Sequence, residues 1–154
     1  MSASTFQQAV EQTPCVKDKW RDGLQAIKGE YRSVIDLKKP QLRGGSLDID
    51  AAMKAAEPDA DRWDYAIQHD GLMVFVEVHS ADGDHHVTKM VKKVQWLRQW
   101  LRDQAPLIGA LPRATEPFRW VHTGRNTLRL LPGSQYARKL DQNSLSKPIK
   151  PLAL

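Results

Sequence analysis

The sequence predicts one α/β domain, a central mixed sheet of about four or five strands flanked by long helices. Three observations predict it. Two runs rich in β-branched and aromatic residues, Arg62–Ile67 and Met73–His79, are separated by a turn and read as a hairpin. The stretch from about Val87 to Arg102 repeats apolar residues at spacings of three and four, the pattern of an amphipathic helix. A third alternating run, Phe118–Thr123, follows that helix, and a strand–helix–strand order asks for a right-handed crossover and a parallel pair.

Taken in order, the chain opens with a polar segment that reads as a short peripheral helix to Thr13, ended by Pro14. Val16 to Leu37 reads as a long helix, because Val16, Trp20, Leu24, Ile27, Tyr31, Val34 and Ile35 make one face. Lys38-Lys39-Pro40 ends it, since proline disfavours helical geometry in the residue before it. Arg43-Gly44-Gly45 reads as a turn, and Ser46–Asp50 as a strand burying Leu47 and Ile49 with Asp48 and Asp50 on the opposite face. Asp50 could instead cap a short helix over residues 51–56. After the hairpin, Ala81–His86 is a turn in which Asp84 is placed to cap the long helix. That helix has a core stripe of Val87, Met90, Val91, Val94, Leu97 and Leu101, with Trp96 and Trp100 beside it. Pro106–Pro117 reads as a connection, Leu128–Leu131 as a last hairpin strand, and Gly133-Ser134-Gln135 as the start of a short helix through Leu140. The tail, Lys147–Leu152, is expected to be extended and docked on the sheet. The domain is thus residues 1–154, with its core at about 16–131 and the last helix and tail over 132–154.

Composition sets the function classes. An apolar fraction of 41% and a charged fraction of 27% are those of a globular protein, and no apolar run approaches the ~20 residues that cross a bilayer. The first residues lack the basic start and apolar stretch of a secretory signal. A single cysteine, Cys15, makes no internal disulfide, which suits a reducing cytoplasm, the expected location. The net charge of +5 is unevenly spread: residues 1–84 hold 10 Lys/Arg against 15 Asp/Glu, and residues 85–154 hold 13 against 3. Such a split lets acidic residues gather a metal while basic surface holds a polyanion, although charges distant in sequence can also intermix once folded.

The hairpin holds the candidate chemistry. Side chains alternate along a strand, so Glu77 and His79 share a face, and Asp64 joins them if the first strand turns its aspartate the same way. Two carboxylates converging from neighbouring strands suit a hard divalent cation such as Mg²⁺. Asp48 or Asp50 could reach toward the pair, although an exposed edge face explains them as well. His85 and His86 read as turn residues and are left out of the metal set, and His122 reads as a structural histidine.

Strand, Asp64, hairpin, strand with Glu77-Val78-His79, then a helix: this series resembles the core of the PD-(D/E)XK nuclease superfamily, the restriction-endonuclease-like fold, over roughly residues 46–123. The resemblance implies a metal-dependent nuclease in which Asp64 and Glu77 bind Mg²⁺ or Mn²⁺. It also implies a lysine two residues after the glutamate, where this chain has His79. Several members carry an extra acidic residue on the helix before the first strand, which makes Glu30 a further acidic group to weigh, with a solvated charge as its simpler reading. Some superfamily members move that lysine to the following helix, so Lys89, Lys92 and above all Lys93 are candidates beside His79 for the catalytic set.

The expected function is therefore phosphodiester hydrolysis on nucleic acid, DNA ahead of RNA, with Asp64, Glu77, His79 and Lys93 as site residues. The competing expectation is an inactive member of the same fold that binds nucleic acid or a protein partner, itself included as a homodimer. A small metal-dependent hydrolase of another phosphoester is the third.

Overall fold

A computed structural model describes residues 3–39 and 43–154; the expected helix end at Pro40 lies outside them. In chain order the elements are α1 (Thr5–Glu11), a 3-10 turn (Pro14–Val16), α2 (Gly29–Arg32), β1 (Ile35–Asp36), β2 (Arg43–Asp48), α3 (Ile49–Met53), β3 (Tyr65–His69), β4 (Leu72–Ala81), α4 (His85–Asp103), α5 (Pro106–Gly109), β5 (Arg113–Asn126), α6 (Gln135–Gln142) and β6 (Leu152–Ala153). Among the described residues they form a four-stranded sheet, β2-β3-β4-β5, and a two-stranded parallel one, β1-β6. The α/β class and the mixed sheet are as the sequence predicts.

The hairpin forms because of its turn. Asp70 and Gly71 both take left-handed backbone angles, φ 52° and 74°, and connect His69 to Leu72, which are paired across the strands. A two-residue turn of this hand matches the right-handed twist of the strands it joins. The antiparallel register that results sets Tyr65 against Val76 and Ala66 against Phe75.

β4 is buried on both faces. Met73, Phe75 and Ala81 face a core completed by Val87, Met90, Val94, Leu97, Trp100 and Leu101 of α4, whereas Val74, Val76 and Val78 face a second core with Tyr65, Ile67 and Val121. Each fully buried aliphatic side chain of the α4 stripe contributes about 1.5–3 kcal/mol. Val91, expected in that stripe, is only half-buried. After α4 the chain turns through α5 and returns as β5, parallel to β4 with Phe75 opposite Phe118 and His79 opposite His122. The predicted parallel pair across the helix is therefore observed. Pro117 lies where the register slips between Met73–Arg113 and Phe75–Phe118, a place where a missing N–H disturbs no regular ladder.

Several expectations fail, each for a physical reason. The long helix predicted over Val16–Leu37 does not form. Gly23 takes φ +54°, and the chain runs as turns across the outer face of the sheet. Arg21 exchanges two backbone hydrogen bonds with Ser46, at 2.9 and 2.8 Å, and the Ala26 N–H donates to Ser46 Oγ at 3.0 Å. The apolar residues that looked like a helical face instead cover a flat one, with Ile27 and Ile35 buried in the second core. Trp20 lies against Gly45, where a Cβ would stand 2.1 Å from the indole nitrogen, so only glycine fits. Residues 43–45 consequently belong to β2 rather than to a turn.

α1 is not peripheral, because Phe6, Ala9 and Val10 are buried in the main core. The strand expected over Ser46–Asp50 ends at Asp48, whose carboxylate caps α3 by accepting the Ala51 N–H at 2.9 Å, so Asp50 is not the cap. Asp84 occupies the cap position of α4 without a side-chain hydrogen bond to it. Pro106–Pro117 is not a plain connection, since it holds α5 and the first residues of β5. Leu128–Leu131 forms no strand. The free edge of β5 is taken by the tail, with Phe118 bridging Leu145 and Val121 bridging Ile149. That tail is docked as predicted, and it ends by pairing Leu152 with Ile35. α6 opens at Ser134 as expected, whose Oγ accepts the Ala137 N–H. Among the described residues, α4 alone of the helices is long; the others have eight residues or fewer.

Candidate active site

The candidate residues meet between β4 and α4. Glu77 points from β4 toward the helix and is 1% exposed. Asp64 lies just before β3 rather than within it, and the two acids are tied through each other's backbone. The Asp64 N–H donates to Glu77 Oε1 at 2.9 Å, and the Val78 N–H donates to Asp64 Oδ2 at 3.0 Å. Strand alternation brought Glu77 to this side, but the reciprocal pairing depends on the bend before β3, where Ile49 donates to the Asp64 carbonyl at 2.8 Å.

Lys93 completes the group. Its Nζ lies 2.8 Å from Glu77 Oε2 and donates to the Arg62 carbonyl at 2.9 Å. One ammonium therefore holds both the glutamate and the backbone just before Asp64. Of the other helix lysines, Lys89 pairs with Asp61 and Lys92 is exposed.

His79 shares the Glu77 face, with Nδ1 3.8 Å from Glu77 Oε2. Its Nε2 is 3.0 Å from Nδ1 of His86, and the His86 ring in turn packs on His85 with centroids 4.0 Å apart. The turn after β4 folds the first residues of α4 back over the strand end, so His86, set aside on sequence grounds, is a neighbour of the site. Burial above all, then the Lys93 charge and the adjacent histidines, lower the His79 pKa to about 4, so its imidazole is neutral at physiological pH.

The carboxylates are perturbed in the opposite sense. Burial pushes Asp64 up to about 6 against the pull of Lys93 and the Val78 N–H. Glu77 is raised well above its usual value, first by burial and second by the charge of Asp64. Burial works against the Lys93 ammonium, but Glu77 and Asp64 outweigh it and its pKa is raised. Two acids thus face one cation in a desolvated place. Perturbed groups of this kind concentrate in functional sites, though buried ion pairs of purely structural value also show them.

These groups line a pocket of about 190 Å³ together with Lys28, Tyr31, Asp48, Asp50, Tyr65 and Val78. Lys28 and Tyr31 were not foreseen, because the segment bearing them was read as a helix with Tyr31 on its apolar face. Asp48 and Asp50 do reach the pocket, yet Asp48 is engaged in capping α3 and Asp50 is paired with Arg62 at 2.8 Å. Glu30 is exposed and does not line it, and His122 is bonded to the Gly124 carbonyl of its own turn. Among the described residues, no three histidines, cysteines or acids are grouped to hold a metal ion by themselves. Two carboxylates nevertheless fit Mg²⁺, which takes one or two protein carboxylates and completes its shell with water and phosphate oxygens.

Comparison with protein-family models, with curated proteins and with solved structures yielded no match.

Proposed function

We propose that the chain is a metal-dependent nuclease of the PD-(D/E)XK kind, hydrolysing phosphodiester bonds in nucleic acid. The observation that supports this reading most is the place of Lys93. The sequence lacks a lysine at position 79, and α4 supplies an ammonium 2.8 Å from Glu77, beside Asp64.

Asp64 and Glu77 are the residues that would hold Mg²⁺ or Mn²⁺. Bound there, the cation supplies positive charge for phosphoryl oxygens and acidifies water. The protein's own groups do the rest. Lys93, charged at neutral pH, donates from Nζ to the oxygen on which negative charge builds, and it keeps the Asp64 backbone in place through Arg62. His79 is neutral, so it adds no charge; its ring is bonded to His86 and stands 3.8 Å from Glu77, beyond hydrogen-bond reach of the carboxylate. Hydrolysis breaks one phosphorus–oxygen ester bond, forms another to the water oxygen and leaves an alcohol that has gained a proton.

A second reading is favoured by one observation. Both Glu77 oxygens are already engaged, one by the Asp64 N–H and one by Lys93, as expected of a closed structural ion pair in an inactive, nucleic-acid-binding member of the fold. Incubating the purified protein with DNA and RNA and Mg²⁺ or Mn²⁺ separates the two. The nuclease reading expects cleavage that Lys93→Met lowers by ~10²–10⁴-fold and His79→Ala by much less. Binding without cleavage under every one of these conditions would establish the second reading.

A further inference from the structure

A larger pocket, about 380 Å³, opens at the far end of α4 from the carboxylates. Arg98, Leu101 and Arg102 of α4, Pro106 and Gly109 of α5, and Arg113 at the start of β5 line it. Arg98 and Arg102 are four apart and so share a helix face, and the α5 turn brings Arg113 back against that same face. Arg113 is opposite Met73 at the beginning of β4, whereas Glu77 lies farther along the strand.

The charges in this pocket are not cancelled. The Arg98 guanidinium lies 4.9 Å from the Phe118 ring centre, and that of Arg113 lies 5.6 Å from the same ring. Arg113 also lies 5.8 Å from the Phe75 ring centre, so each arginine has an aromatic face to attract it. That attraction still leaves two like charges side by side, where burial and the nearness of Arg113 lower the Arg98 pKa. The hydrogen bonds they make go to neutral carbonyls, Arg98 to Asn143 and Arg113 to Gly109. Arg102 pairs at 3.2 Å with Asp103, with both side chains well exposed, an arrangement worth little in water. No carboxylate lines the pocket. Three guanidinium forks around an open volume of this size match the oxyanions that arginine binds in bidentate fashion.

We propose that this pocket is a phosphate-binding site, separate from the carboxylate cluster, in which Arg102 and Arg113 receive the phosphate group and Arg98 closes its inner side. The pocket exceeds what a bare phosphate fills, so the group belongs to a larger molecule, either a free phosphoester or a nucleic-acid strand. The site stands whether or not Asp64 and Glu77 support hydrolysis.

The test uses the full chain at constant ionic strength, with inorganic phosphate as the first probe. Calorimetry should show saturable binding at millimolar phosphate, weakened roughly tenfold or more in an Arg102→Gln/Arg113→Gln double variant. An Arg125→Gln/Arg129→Gln variant, which removes the same charge from exposed positions elsewhere, should bind as the wild type does. The melting temperature without phosphate reports that each variant is folded. Fluorescence anisotropy with short oligonucleotides, with and without a 5′-phosphate, then identifies the source. Dependence on Arg102 and Arg113 for both oligonucleotides assigns the site to strand backbone, for the phosphorylated one alone to a terminal phosphate, and for inorganic phosphate alone to a free phosphoester. No phosphate binding by the wild type, or equal loss in the two double variants, would overturn the proposal.

Discussion

Burial sets the ionisation of Asp64 and His79 in opposite directions, and their effects on stability have opposite signs. Asp64 rises from 3.8 to about 6, so the folded chain holds that proton more tightly than the unfolded one. Its contribution is fully present below about pH 4 and is lost as pH rises through 6. An Asp64→Asn chain, which has no charge to bury, should therefore melt higher than the wild type at pH 7, by the equivalent of about 3 kcal/mol, and the gap should close by pH 4. His79 is lowered from 6.5 to about 4, so its contribution is present above pH 6.5 and is lost as pH falls through 4. An NMR titration should find the His79 ring neutral at pH 5.5, whereas a midpoint near 6.5 would mean that the ring is solvated. At this scale the alternation of β4 was enough to place Glu77 and His79 together. Lys93 was named ahead of two other helix lysines through the resemblance alone. Periodicity sets Lys89, Lys92 and Lys93 on polar faces alike, and the angle at which α4 crosses β4 decides which of them turns inward.

Elements were legible where one residue pattern had one structural outcome. α4, the β3–β4 hairpin and α6 are of this kind, each with a periodic run and a turn or cap that agrees with it. The segment 17–39 was not, because spacings of three and four describe a helical face and also a chain crossing a flat apolar sheet; Gly23 and Ser46 decide between them. Ser46→Ala removes the acceptor for the Ala26 N–H and should speed amide exchange at residue 26 well above that in α4, which hydrogen-exchange mass spectrometry would register. Helix caps give a second contrast. Ser134 accepts the Ala137 N–H, so Ser134→Ala should cost about 1 kcal/mol in a denaturant titration. Asp84 makes no such bond, and Asp84→Ala should change stability by less than about 0.5 kcal/mol.

For the whole molecule, the class and the mixed sheet could be read from the order of the runs, but the closure of the fold could not. The pairing of the tail with β1 joins residues more than a hundred positions apart, and no local pattern announces it. Charge asymmetry gives a prediction at this scale. If the basic half holds a polyanion, affinity for a DNA duplex should fall steeply between about 50 and 200 mM salt, as released counterions require. A flat salt response would point to a protein partner instead. The tail also bears on how the protein is made. Residues 145–149 cover the β5 edge, and Leu152 seals the outer core beside Ile35. On the ribosome, α4 and its sheet face can collapse while those residues are still inside the exit tunnel, and the segment bearing Ile27 and Ile35 is already out to cover the other face, but the β5 edge has no partner until they emerge. Throughout that interval the nascent chain displays an unpaired strand edge, the feature that invites pairing with another chain.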